Sequence, residues 1–141
     1  MEKGEGKEGN VAAQKSYGFA LRIVNMYRYL TEKQREYVLS KQVLRSGTAI
    51  GALYAECQHA QSKADFINKA SIALKEANET LYWLRLLHDS NYLSDDIFQS
   101  IYQDADELVA LLVTIVNRQR KTWGVIEGRG GEWRREKYYA A

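Results

Sequence analysis

The residues of this chain best suited to chemistry are two histidines and a single cysteine, and their spacing argues against a catalytic centre. Glu56 and His59 form a Glu-x-x-His pair, the unit that supplies di-iron sites inside helical bundles. Such a site needs a second copy and two further carboxylates. The other histidine, His88, has Arg85 three residues before it instead. His59 also stands two positions from Cys57, a residue of an apolar seam, and so turns away from any interior. Cys57 on that seam reads as a small, inert packing residue. No Ser-His-Asp arrangement can be drawn from two histidines on different segments, and no glycine-rich loop follows a strand to cradle phosphates. The expectation is a protein with no catalytic residue, no metal and no cofactor.

Charge offers more. Net charge is only +2, but it is unevenly spread. From Lys15 to Arg45 seven basic residues face two acidic ones, from Lys63 to Asn117 four face nine, and from Arg118 to Ala141 seven face three. Arg22, Arg28, Lys33, Arg35 and Lys41 are interleaved with Tyr17, Tyr29 and Tyr37, while Arg118, Arg120 and Lys121 form a second basic group. Cations contact phosphates without reading sequence, and aromatic rings can stack on unpaired bases. These eight basic residues are the candidate nucleic-acid surface, for RNA or DNA. The same surface could instead dock a protein partner, or let copies of the chain associate. A further set, Arg45 and Glu56 on one stripe and Asp65, Lys69, Glu76, Glu79 and Trp83 on another, carries opposite charges at helical spacing. It is expected to form a partly buried polar network between neighbouring helices, fixing their register.

The elements that must position these groups are helices. The 141 residues suffice for one domain, 45% are apolar and 27% charged, and proline is absent, so nothing interrupts a long helix. Residues 1–13 read as a flexible segment, 14–121 as an antiparallel up-down-up-down four-helix bundle, and 122–141 as a Gly/aromatic/basic tail. The first helix is expected from Gln14 to Leu30 with Ala20, Ile23, Val24 and Tyr27 inward. Thr31 and Gln34 have capping-box form and open the second, which runs to Gln61 with a seam of Leu39, Val43, Ser46, Ile50, Leu53 and Cys57. Ser62 and Asp65 open the third, which carries Phe66, Ala70, Ala73, Ala77, Leu81 and Leu84 and ends near His88. Asn91 and Ser94 mark the next turn. The fourth presents Ile97, Ile101, Leu108, Leu111, Leu112 and Ile115 and ends at Lys121. One cysteine, no apolar run of about 20 residues and no secretory leader point to a cytoplasmic protein without a membrane role.

Around the second and third helices the chain resembles a known family. The run from Leu44 to Ala52 (Leu-Arg-Ser-Gly-Thr-Ala-Ile-Gly-Ala), then Ala55-Glu56, Ser62 to Ile67, Lys69, Ile72 to Ala77 and Glu79 to Leu84 is similar to the signature of the 23S rRNA-intervening-sequence family of four-helix proteins. The resemblance covers about Ser16 to Lys121. It implies an antiparallel bundle, frequently a ring-shaped homopentamer, encoded within inserts of bacterial large-subunit ribosomal RNA genes. It also implies kinship with accessory proteins of diversity-generating retroelements, which bind nucleic acid and a reverse transcriptase. Arg45, Glu56, Asp65, Lys69, Glu76, Glu79 and Trp83 match the family motif. Since these are the residues already assigned to inter-helix pairing, the motif reads as architecture.

Overall fold

Four helices follow one another: α1 (Gly6–Glu32), α2 (Leu39–Cys57), α3 (Lys63–Asp89) and α4 (Asp95–Glu127). The computed structural model describes residues 6–127, with side chains at 7 and 9–121. Each helix packs against its neighbours in sequence and α1 closes the ring against α4, and among the described residues the diagonal helices do not approach as closely. Cross-helix pairs fix the directions. Lys15 meets Glu107 while Arg22 meets Asp104, and Arg45 meets Glu76 while Cys57 Sγ lies near the Phe66 carbonyl. In each pair the two numbers move in opposite senses, so adjacent helices are antiparallel. The result is the expected four-helix bundle, with no strand among the described residues.

The core is a set of helical stripes. On α1 these are Ala12, Ser16, Phe19, Ile23, Met26 and Leu30, in alternating steps of four and three that keep one seam facing the partner helices. This corrects the expected inward face. Ala20, Val24 and Tyr27 are only half-buried, because α1 carries a second apolar stripe on its outer side, with Tyr17 and Leu21 exposed. The α2 seam holds, with Val43, Ser46, Ile50 and Cys57 buried, and gains Tyr54. On α3 Phe66, Ala70, Ala73, Ala77 and Leu84 are buried. On α4 Ile97 proves exposed, whereas Ala105 and Val116 join Ile101, Leu108, Leu112 and Ile115. Burial of the larger aliphatic chains contributes about 1.5–3 kcal/mol each.

The signature run on α2 has a packing cause. A Cβ at Gly47 would lie 2.8 Å from Ile23 Cγ1, and one at Gly51 would lie 3.2 Å from the Ser16 carbonyl oxygen. Two glycines four apart therefore let α1 approach α2 closely. On the α3-facing side of α2, Thr80 Oγ1 of α3 donates to Ser46 Oγ in a buried 2.9 Å hydrogen bond.

Boundaries depart from expectation at three places. Helix α1 begins at Gly6, so residues 6–13 belong to it, and it continues through Thr31 to Glu32. The Thr31–Gln34 capping box does not form: Thr31 Oγ1 donates to the Tyr27 carbonyl inside α1, 2.9 Å away. Helix α2 starts later, at Leu39, and ends at Cys57. Helix α4 runs on to Glu127. Residues 1–5 and 128–141, and with them most of the expected tail, lie outside the described residues. The Ser62 cap is made, its side chain accepting from the Asp65 N–H at 3.0 Å. Asn91 takes the left-handed conformation (φ 71°) that closes α3, with the Tyr92 N–H donating to the Leu87 carbonyl.

Candidate nucleic-acid interface

The connection from α1 to α2 is short, and one carboxylate organises it. Helix α2 has no serine, threonine, asparagine or aspartate at its cap position, which is Val38. Glu36 substitutes from two residues earlier. Its carboxylate accepts from the N–H groups of Val38 (3.1 Å), Leu39 (2.9 Å) and Ser40 (2.6 Å), meeting the positive end of α2 with a negative charge. Its own N–H donates to the Leu30 carbonyl at 2.9 Å, and its carbonyl accepts from Ser40 Oγ at 2.8 Å. Glu36 is consequently buried, at 8% exposure. To reach this geometry the chain turns through Arg35 in the left-handed region, at φ 56°. The tie leaves Lys33, Arg35, Tyr37, Val38 and Lys41 on the outside.

The expected basic residues divide into three groups. Arg28, Lys33, Arg35 and Lys41 are exposed at the α1–α2 end and make no ion pair among the described residues. Arg22 departs from expectation, because Asp104 lies 2.6 Å away across the α1–α4 groove and Ser100 accepts from it as well. Its charge is matched by a carboxylate. Arg118 and Lys121 are exposed at the far end of α4, but Arg120 is buried at 5% exposure. The expected outward Arg120 is thus corrected. Helix α4 does not stop at Lys121, so residues 119 and 120 continue the inward stripe of Leu112, Ile115 and Val116.

The two exposed groups also stand apart. Arg22 is level with Ser100 and Asp104, which places Arg28 level with the first turn of α4. From there to Arg118 is about 35 Å at 1.5 Å per residue. Among the described residues the two groups do not form one continuous basic face.

Beside the basic end lies an acidic one. Asp89, Asp95 and Asp96 of the α3–α4 connection are exposed. A groove lined by Tyr29, Gln34, His88, Asn91, Tyr92 and Asp95 runs between the two connections. In it the Asp95 carboxylate, 2.6 Å from His88 Nε2, raises the imidazole pKa above its ordinary value, with Asp89 assisting. The ring stacks on Phe98 at 4.2 Å. Tyr29 is held by Gln34, whose Nε2 donates to its hydroxyl at 2.7 Å.

The motif residues fall into two groups, one bridging α2 and α3 and one paired within α3, which corrects the expected inter-helix pairing of Asp65 and Lys69. Arg45 binds Glu76 at 3.1 Å and also Glu79, and Trp83 Nε1 donates to Glu79 at 2.9 Å. The Trp83 donor and then Arg45 hold the Glu79 carboxyl below its usual range. Lys69 binds Asp65 at 3.0 Å, and together with the Gln61 N–H it lowers the Asp65 pKa. Glu56 is exposed beyond this set. The expected partial burial is corrected for Arg45, whose side chain is 51% exposed: the guanidinium lies across the helix pair instead of between its helices. Among the described residues no three His, Cys, Asp or Glu side chains are grouped to hold a metal ion. No described helix is long and apolar enough to cross a membrane.

Glu36 was missed in the sequence, and Tyr37 stood there only as one of three tyrosines interleaved with the cations. The signal available was a tyrosine between cations in a short connection, which only a located helix boundary turns into an exposed one.

Comparison with known proteins places this architecture. No curated protein sequence matches. A solved structure that does match is the crystal structure of a protein of unknown function from the S23 ribosomal protein family of Bacteroides thetaiotaomicron, 53% identical, covering 77% of this chain and 97% of that one, with a TM-score of 0.77. The family model for the 23S rRNA-intervening sequence protein matches residues 8–114. That span takes in α1, the Gly47/Gly51 contact, the α2–α3 polar network and most of α4, and the chain belongs to the 23S rRNA-intervening sequence protein family.

Proposed function

We propose that this chain is a non-enzymatic accessory protein that binds RNA or DNA through phosphate contacts and works as a homo-oligomer. One observation carries the reading: Arg28, Lys33, Arg35 and Lys41 are exposed together at the α1–α2 end with no ion pair among the described residues. Four cations within 14 residues, against Glu32 and the internally engaged Glu36, give that end a positive field. The acidic α3–α4 connection repels a polyanion and so orients it towards the basic side. A filter-binding titration against structured RNA at low salt tests this. Micromolar or tighter binding that weakens steeply with added salt is expected. No binding at low salt, or binding indifferent to salt, removes the reading.

A second reading, a module that docks a protein such as a reverse transcriptase without touching nucleic acid, is favoured by the outer stripe of α1. Tyr17 is 67% and Leu21 52% exposed, beside a shallow groove floored by Gly51, Ala52 and Ala55. The same stripe could be the contact between copies, for which the family resemblance suggests a pentamer. Light scattering with Leu21→Asp separates these possibilities. Dissociation assigns the stripe to self-association, and an unchanged mass leaves it for another protein, whose co-purification then decides.

A further inference from the structure

We propose that the α1–α2 connection is a stacking site for unpaired nucleotides, with a base on the Tyr37 ring and flanking phosphates on Lys33, Arg35 and Lys41. This rests on the nucleic-acid reading above and narrows it from phosphate contact in general to single-stranded or looped segments.

An exposed tyrosine alone is ordinary. Three features set Tyr37 apart. First, the backbone on both sides of it is fixed. Glu36 accepts three N–H groups from residues 38–40 and donates back to Leu30, so Tyr37, 54% exposed, is presented by a rigid connection and gives up little freedom on binding. Second, Arg35 occupies a left-handed position that glycine would fill without strain. An arginine there, two residues before Tyr37 and exposed, supplies a charge that glycine could not. Third, the cations around it are exposed and make no ion pair among the described residues. Of the other aromatic rings near this end, Tyr29 is tied to Gln34, Phe98 is stacked on His88, and Tyr92 is partly buried against the core. Tyr17 and Tyr82, though exposed, lie elsewhere, one beside apolar Leu21 and one edge-on to Trp83. A ring flanked by exposed cations is the constellation that holds single strands, because every base has a face to stack while a duplex hides its bases.

Fluorescence anisotropy with labelled U12 RNA, dT12 DNA and a 12-base-pair duplex tests the site. Thermal melting first establishes that the variants fold. Tyr37→Ala should weaken single-strand binding about 5- to 100-fold and change duplex binding less than about twofold. Tyr37→Phe, which keeps the ring, should bind like wild type. Loss confined to U12 assigns the site to RNA, and loss confined to dT12 assigns it to DNA. If wild type binds but Tyr37→Ala changes neither oligonucleotide, or weakens single strand and duplex equally, the stacking site is overturned and general phosphate binding stands. If wild type binds none of the three, both readings fall. Binding of poly-glutamate as tight as U12 and indifferent to Tyr37→Ala would assign the connection to an acidic protein and overturn the proposal.

Discussion

The two ends of the bundle hold similar numbers of cations and use them differently. At the α1–α2 end Arg28, Lys33, Arg35 and Lys41 point outward around a connection pinned by Glu36. At the α4 end Arg118 and Lys121 are exposed, but Arg120 is drawn onto the inward stripe. The difference is one of phase. Around the α1–α2 connection Glu36 takes the inward position, and Lys33 and Arg35 are left outside it. Along a helix, each successive residue rotates by about 100°, so three neighbouring cations cannot all face out when the helix continues beneath the core. A cluster of charges in sequence is a surface only where the phase of the backbone beneath turns each of them outward.

The comparison can be broken at several points. The largest effect is expected from Arg120→Glu, which places a carboxylate on a buried stripe and should cost about 3 kcal/mol or more of stability, measured by urea unfolding. Lys121→Glu, one residue on and exposed, should stay within about 0.5 kcal/mol. Next comes joint reversal of Arg28, Lys33 and Arg35 to glutamate. RNA affinity at low salt should fall about 100-fold or more across unrelated sequences, with the fold intact. Glu36→Ala leaves three N–H groups at the start of α2 without their acceptor and should cost about 1–2 kcal/mol. Arg45→Ala, although it removes a motif residue with two partners, should cost no more than about 1 kcal/mol, because the side chain is half exposed.

A pH dependence at the groove between the two connections completes the set. His88 has a pKa raised above 6.5 by Asp95. Its pairing therefore contributes fully below that value and is lost as pH rises through the higher folded value. The difference in Tm between wild type and His88→Ala should shrink over that interval, and a constant difference would contradict it.

Much of the fold was legible in the residues. The steps of four and three on α2, the alanine-rich face of α3 and the Ser62 cap state the bundle directly. Helix α1 misled because it has two apolar stripes: Tyr17, Leu21 and Val24 compete with Phe19, Ile23 and Met26, and periodicity alone cannot say which one meets the core. Thr31 misled for a different reason. Its hydroxyl can bond backwards within a helix as readily as it caps the next one, and here it does the former. The cap that forms comes from a glutamate two residues before the cap position, which no short pattern anticipates. The candidate site inherited these errors. Until α2 was known to begin at Leu39, Tyr37 read as a helical residue, one of three tyrosines among the cations, and until α4 was known to continue, Arg120 read as outward.

The most direct measurement is the slope of log affinity against log salt for structured RNA, taken for wild type and for two neutralised variants. One carries Lys33→Gln, Arg35→Gln and Lys41→Gln, and the other Arg118→Gln and Lys121→Gln. Each phosphate contact contributes about 0.7–0.9 to the slope. Loss of the α1–α2 cations should therefore flatten it by about two to three, with the far-end variant close to wild type. An unchanged slope in the first variant, or a larger loss in the second, would contradict the assignment of binding to the α1–α2 end.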